Sequence, residues 1–451
     1  MNVMTRTTGL TRALAEQSSS LTYADLSADA RALARQCVLD YLGCALAGAS
    51  DGLTRIVLAE MQEQGGNESA TVLGHDARLP PLSAALVNGT AGHALDFDDV
   101  NMAMPGHPSV AILPALLALA EEQGSRGADV LTAFVAGYEL QCRIGRAIAP
   151  GHYDGLGFHS TATVGSFGAA AACAHLLGLD AATTAVALGI AGTQAAGLKS
   201  MFGTMCKPLH AGKASYHGLL AAKLARRGFT SRDDVLECGQ GFASTHSPDF
   251  HPERALAPPP RGMYLFDNLF KYHAACYLTH GPIEAARSLR TRHALAPEQV
   301  AKVHLRVDGA CDRVCNIAAP RTGLEAKFSL RLTTAMALAG IETGALASYS
   351  EANAADPALV ALRNKVELDF QSGWPHTLAE IELELADGSR VEARHDAGVP
   401  NADIADQGRR LGQKFAALVD PLLGARAGEI TNQVNQLDAL DNVRGMLALC
   451  R

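Results

Sequence analysis

Histidine, lysine and aspartate gather in a few short windows of this chain, and the densest of them runs from His93 to His107. It reads His93-Ala94-Leu95-Asp96-Phe97-Asp98-Asp99-Val100-Asn101, then Gly106-His107-Pro108-Ser109. Only 19% of all residues are charged, so two histidines and three carboxylates this close together stand well above the background. Glycine and proline flank them, which places the polar groups where helices end. Reactive sites are commonly built on such loops, held by a rigid apolar scaffold. Four more windows share the pattern. They are Gly157-Phe158-His159-Ser160-Thr161, Thr204 to Lys213 with Lys207-Pro208-Leu209-His210-Ala211-Gly212, Lys271-Tyr272-His273 followed by Cys276 and His280, and Glu325 to Arg331 with Lys327-Phe328-Ser329.

These residue types suit one kind of chemistry. Histidine titrates near neutrality and is the natural proton donor and acceptor. Lys207 and Lys271 would bring full positive charges, and helix starts bring free N–H groups that favour anions. Together they fit proton transfer on a small polyanion. Removing a proton beside a carboxylate creates negative charge that fixed donors must stabilise, at roughly 3 kcal/mol per donor. Each residue alone also has a plain structural role open to it. Asp98 and Asp99 could cap the next turn, Lys213 reads as a helix-surface charge, and Arg226 and Arg227 suit a helix C-terminus. Repetition of His or Lys beside Gly, Pro and helix starts in separate windows favours the functional reading.

Other chemistries lack their signatures. His273, Cys276 and His280 have helical-face spacing, but no fourth ligand and no HExxH accompany them. The aspartate run lacks the DDxxD spacing of magnesium-dependent synthases. No GxGxxG after a strand, Walker A loop or GxSxG elbow occurs. Nucleotide and serine-hydrolase readings therefore have no support, and a metal has little. A net charge of −8 argues against a nucleic-acid partner. Ten cysteines without a CxxC pair fit reduced thiols and a cytoplasmic location. Met1–Thr8 shows no apolar run of signal-peptide length. His175, Asp180, Thr183 and Thr184 interrupt the apolar Ala169–Gly192 stretch, which reads as core helix rather than membrane span.

The elements that must position these windows are mostly helical. Ser27 is placed to cap a helix through Ala30 to Leu46, with Leu33, Cys37 and Leu42 on its apolar face. Ile112 to Glu122 ends at Gly124, Asp129 to Ile148 carries apolar residues at helical spacing, and Gly212 to Arg227 stops at Gly228. Ser231 is expected to cap another helix, with Asp233 and Asp234 in its first turn. After the Pro258-Pro259-Pro260 break the period changes to two. Val303–Val307, Val366–Phe370 and Ile381–Leu385 read as half-buried antiparallel strands, with Asp387-Gly388 as a hairpin turn before Val391. Helical spacing returns from Asp403 through Leu411, Phe415, Leu418 and Leu422. The fold class is mainly α, with residues 1–267 helical, 268–395 a small α+β domain, and 396–451 returning as helices to the first domain.

The five windows together resemble the MmgE/PrpD family of dehydratases, decarboxylases and epimerases. The resemblance rests on His93-to-Asp99 with His107-Pro108-Ser109, Gly157-Phe158-His159, Thr204-to-Gly212, Lys271-Tyr272-His273 and Lys327-Phe328-Ser329. It implies a large helical domain from both chain ends, a smaller α+β lid, a homodimer, and an active site in the cleft between the domains. It also implies cofactor-free chemistry on a small di- or tricarboxylate. By position, Asp96, His107, His159, Lys207 and Lys271 correspond to the catalytic lining. His107 and His159 would move protons, and the lysines would bind carboxylates. His210, His273, Ser329 and Arg331 would complete the substrate contacts, Arg331 through a two-pronged carboxylate grip. Two hydroxyls frequent in dehydratase and decarboxylase members are absent, since Val100 and Leu332 stand where those often have Thr and Tyr. A 2-methylcitrate dehydratase-like lyase, an iminodisuccinate-type epimerase and a non-catalytic carboxylate-binding dimer all stay open at this point.

Overall fold

The computed structural model describes residues 9–451, and the reading of Met1–Thr8 above falls outside that range. The chain forms two compact units, one running to Phe270 and including Asp403–Arg451, the other spanning Lys271–Ala402. Among the described residues, no single helix is long and apolar enough to cross a membrane.

The first unit is built on α1 (Ala28–Gly48), a two-residue ribbon β1 (Ala70–Thr71) and β2 (Arg78–Leu79), α2 (Pro81–His93), α3 (Pro108–Gln123), α4 (Gly127–Ile148), α5 (Ser160–Leu176), α6 (Ala181–Gly192) and α7 (Cys206–Arg226). Capping explains several boundaries. Ser27 Oγ accepts from the Ala30 amide at 3.1 Å, and Asp180 Oδ1 from that of Thr183 at 2.8 Å. α3 begins earlier than the apolar spacing suggested, because Pro108 sits at its first turn, where a missing N–H costs nothing. The helix expected after Ser231 does not form. The Ser231 hydroxyl donates to the Val186 carbonyl at 2.8 Å, and Arg232 grips Asp234 at 2.7 and 2.8 Å, so neither side chain caps a helix.

Small residues let the helices of this unit pack backbone to backbone. A Cβ on Gly212 of α7 would lie 2.3 Å from the Leu86 carbonyl oxygen of α2. That contact gives the glycine of Lys207-to-Gly212 a physical reason, and it seats α7 against the helix that ends in His93.

The second unit holds a four-stranded sheet in the order β4-β3-β5-β6, from β3 (Val300–Asp308), β4 (Val366–Gln371), β5 (Leu378–Leu385) and β6 (Arg390–Asp396). Val303, Leu305, Val307, Ile381 and Leu383 bury one face, packed with Ile283 and Leu289 of α8 (His280–His293). β3 and β4 run parallel, from Val303 opposite Val366 to Asp308 opposite Gln371, whereas all strands were expected to be antiparallel. The intervening chain, including α9 (Ala310–Cys315) and α10 (Leu330–Ala339), makes the long crossover that a parallel pair requires. Alternation reports which side chains are buried but not strand direction. The chain then returns to the first unit as α11 (Ile404–Leu423), capped by Asp403. The result is a mainly α chain with a smaller α+β part.

Candidate active site

Three helix starts meet in the first unit. His107 and His159 are the residues immediately before α3 and α5, and Lys207 lies in the first turn of α7. The start of α3 is tied to α5 by the His107 amide, which donates to Thr161 Oγ1 at 3.0 Å. The His159 amide in turn donates to the Gly197 carbonyl at 3.0 Å. Each helix start presents N–H groups and partial positive charge, so their convergence favours bound anions.

The side chains form one connected acid–base set. Asp98 is buried between two imidazoles: His93 Nδ1 lies 2.9 Å from its Oδ1, and His107 Nδ1 lies 3.2 Å from its Oδ2. Burial alone would raise the Asp98 pKa, but His107 and then His93 outweigh it and hold the carboxyl well below its usual range. A carboxylate at Nδ1 fixes ring orientation and tautomer, leaving Nε2 for chemistry. His107 Nε2 is 3.4 Å from Asp96 Oδ1, which the Lys207 ammonium also meets at 2.8 Å. His93 is fully buried, and its pKa is pushed down to about 4, chiefly by burial.

His159 lies beside this set, with its ring stacked 5.9 Å from His93 and edge-on to Phe202 at 5.0 Å. Its Nδ1 is 3.1 Å from Nδ1 of His210. Two facing nitrogens can make that bond only if one donates and the other accepts. A single proton on the pair therefore decides whether Nε2 of His159 carries a hydrogen or a lone pair. Burial first, then the charges of His93, Lys207 and His107, push the His159 pKa well below its ordinary value. His210 is shifted down for similar reasons, burial before Lys213 and Lys207. Both rings are neutral at pH 7, which suits a base that must accept a proton.

Deeper residues hold the loop. Asp99 accepts from the Ser109 hydroxyl and from Asn268 Nδ2 at 3.0 Å, and burial, reinforced by Asp40, raises its pKa to about 7. It braces the loop against α3 rather than facing the reacting groups. Lys414 of α11 reaches 2.6 Å to Asp40 of α1 and 2.6 Å to the Phe97 carbonyl, so the returning C-terminal helix pins the loop from beneath. Asp96 itself adopts φ +50°, a left-handed conformation that Asp tolerates better than most residues and that recurs at functional sites.

His93, Asp96, Asp98 and His107 each offer a ligand atom, and these lie within 4.8 Å of one another. A cation there would face the Lys207 ammonium and would compete with the His93 imidazole already bonded to Asp98 at 2.9 Å. The donor set fits internal charge pairing better than a metal.

Of the residues singled out by sequence, Asp96, His107, His159, Lys207 and His210 come together in this cluster. Lys271, His273, Ser329 and Arg331 belong to the second unit. There His273 is fully buried, with Nε2 2.9 Å from Glu284 Oε1 and Nδ1 2.7 Å from Thr343 Oγ1. Ser329 Oγ caps α10 by accepting from the Leu332 amide at 3.3 Å. Arg331 donates to Asn316 Oδ1, and Lys271 is buried. His273, Cys276 and His280 do not share a helical face, because α8 begins only at His280.

Residues 12–255 match the MmgE/PrpD N-terminal domain and residues 273–439 the MmgE/PrpD C-terminal domain. A cis-aconitate decarboxylase of Homo sapiens is 33% identical over 380 residues, covering 80% of this chain and 78% of its own length. The Mus musculus enzyme of that name is 31% identical, with 80% and 77% covered. A cis-aconitate decarboxylase of Aspergillus terreus is 29% identical over 98% of this chain and 96% of its own. The chain belongs to the MmgE/PrpD family. Within this MmgE/PrpD chain, sequence reading had passed over the roles of His93 and Asp98, although both lie in its densest polar window. Lys414 and Asp40 were missed altogether. Their signal was a charge on an apolar stripe: Lys414 falls among Leu411, Phe415 and Leu418, and Asp40 follows Leu33 and Cys37.

Proposed function

We propose that this chain is a cofactor-independent lyase acting on a small tricarboxylate by way of a carbanion beside a carboxylate. The observation carrying this reading is the Asp98 carboxylate shared by the Nδ1 atoms of His93 and His107, set beside Lys207 where three helices begin. His107 and His159 exchange protons with substrate through Nε2, and His210 sets the tautomer of His159 across their 3.1 Å contact. Lys207 and the converging N–H groups stabilise the developing negative charge, which is worth most when the donors are fixed in advance. Lys271 and Arg331 are proposed as further substrate contacts, with His273 and Ser329 holding the segments that carry them. The family-implied homodimer belongs to the same proposal.

The reaction branch turns on the fate of the carbanion. A carbanion made by proton removal gives a dehydratase if it expels a β-hydroxyl and an epimerase if it is reprotonated on the other face. Loss of CO₂ itself instead leaves the electron pair on carbon, and protonation of that carbanion completes a decarboxylase. The names of the relatives favour cis-aconitate and decarboxylation. Val100 favours the epimerase as a second reading. It pairs with Leu269 through its backbone at 2.8 Å and offers no hydroxyl beside the acidic run.

The test is incubation with a panel of di- and tricarboxylates, cis-aconitate first, in D₂O with ¹³C NMR of the products. Loss of CO₂ with one deuterium incorporated, or loss of water to give an alkene, supports the lyase, and exchange without a new product supports the epimerase. Neither turnover nor exchange on any compound would leave only the carboxylate-binding dimer.

A further inference from the structure

The second unit contains a group of thiols unrelated to the acid–base cluster. Cys311 and Cys315 lie one turn apart on α9, and both are fully buried. The Cys311 thiol points to the His376 carbonyl at 3.8 Å, and that of Cys315 to the Cys311 carbonyl at 3.6 Å. Cys276 arrives from a separate segment, packed on the same core, and is half-buried. The Cys315 side chain touches both Cys276 and Cys311. Three thiols in a chain of contacts, with solvent access at one end only, make an entry point and a resolving partner.

We propose that Cys276 and Cys315 form a reversible disulfide in response to a small-molecule disulfide such as oxidised glutathione. In the first step the Cys276 thiolate attacks one glutathione sulfur. The glutathione S–S bond breaks, a Cys276–glutathione disulfide forms, and one glutathione thiolate leaves. The Cys315 sulfur then attacks Cys276 Sγ and expels the second glutathione as a thiolate, which takes up the Cys315 proton. Two cysteines are oxidised and one glutathione disulfide is reduced, so the exchange balances. Cys311 is the poorer partner for Cys315, since both are held one turn apart on the same helix. Cys311 instead orders the Cys315 side chain through their contact.

The bond would have local consequences. Cys276 lies five residues beyond Lys271, and its amide donates to the Lys327 carbonyl at 3.0 Å. Asn316, directly after Cys315, accepts from Arg331. A Cys276–Cys315 link would thus tie the Lys271–His273 segment to the residue that orients Arg331.

The experiment equilibrates the full chain with graded ratios of reduced and oxidised glutathione, traps thiols with an alkylating agent at low pH, and maps tryptic peptides. Trypsin cuts after Arg313, so Cys311 and Cys315 fall in different peptides. Two of the ten thiols are expected to disappear together, in a linked pair of peptides carrying Cys276 and Cys315. The Cys276→Ser variant loses the link and the Cys311→Ser variant keeps it, each with a native thermal melt as the check on folding. A stable glutathione adduct at Cys276 without the link, a Cys311–Cys315 link, or reaction confined to the exposed Cys206 would each overturn the proposal.

Discussion

The two units carry similar polar residues and use them in opposite ways. In the first, the Nδ1 of His159 faces His210 and leaves its Nε2 for chemistry, while His107 turns Nδ1 to Asp98 at 3.2 Å and Nε2 to the half-exposed Asp96 at 3.4 Å. In the second, His273 spends both nitrogens on Glu284 and Thr343, and Ser329 spends its hydroxyl on a helix cap. Residue type and spacing made these sets look alike. The useful distinction is whether a ring has a nitrogen left over once its neighbours are satisfied, and that depends on contacts far away in sequence.

His107→Gln should lower kcat by about 10²–10⁴-fold with little change in folding, as expected for a positioned acid or base. Equal kcat in the variant would put His107 outside the chemistry. Lys414→Met leaves Asp40 buried without its partner, and should lower the unfolding free energy by about 3–5 kcal/mol in urea titration. Lys207→Met should cost about 3 kcal/mol in kcat/KM, roughly 10²-fold, while leaving the melting temperature within a few degrees.

A smaller effect should appear in the pH dependence of stability. The folded His93 has its pKa pushed down to about 4, below its unfolded value near 6.5. The unfolded chain therefore binds the proton first, and the destabilisation grows as pH falls from about 6.5 towards 4. His93→Gln should remove about 2–3 kcal/mol of that acid loss, seen as a shallower decline of urea midpoints between pH 7 and 4.5. The smallest effect concerns the second unit. His273→Gln should cost about 1–2 kcal/mol in stability, by disturbing the ring's buried contacts with Glu284 and Thr343, and should change kcat less than either first-unit histidine. A kcat loss matching that of His107→Gln would erase the distinction between the units.

Much of this was legible in the sequence. The helical and strand periods located most elements, and the clustering of His107, His159 and Lys207 beside glycine and proline pointed to helix starts. The antiparallel reading of β4 failed because side-chain alternation is the same in either direction. Asp98 was overlooked in favour of Asp96 because adjacent carboxylates on a loop cannot be ranked until the fold aims one of them inward. The bracing by Lys414 joins residues hundreds of positions apart, and only the misplaced charge on an apolar helix face hinted at it.

In the proposed reaction the imidazoles of the first unit move a proton at a carbon beside a substrate carboxylate. The most direct measurement is deuterium incorporation from D₂O into a processed di- or tricarboxylate, compared between the native chain and His159→Gln. Incorporation by the native chain should fall at least about 10²-fold in the variant, while substrate still binds. Equal incorporation by both proteins would contradict it.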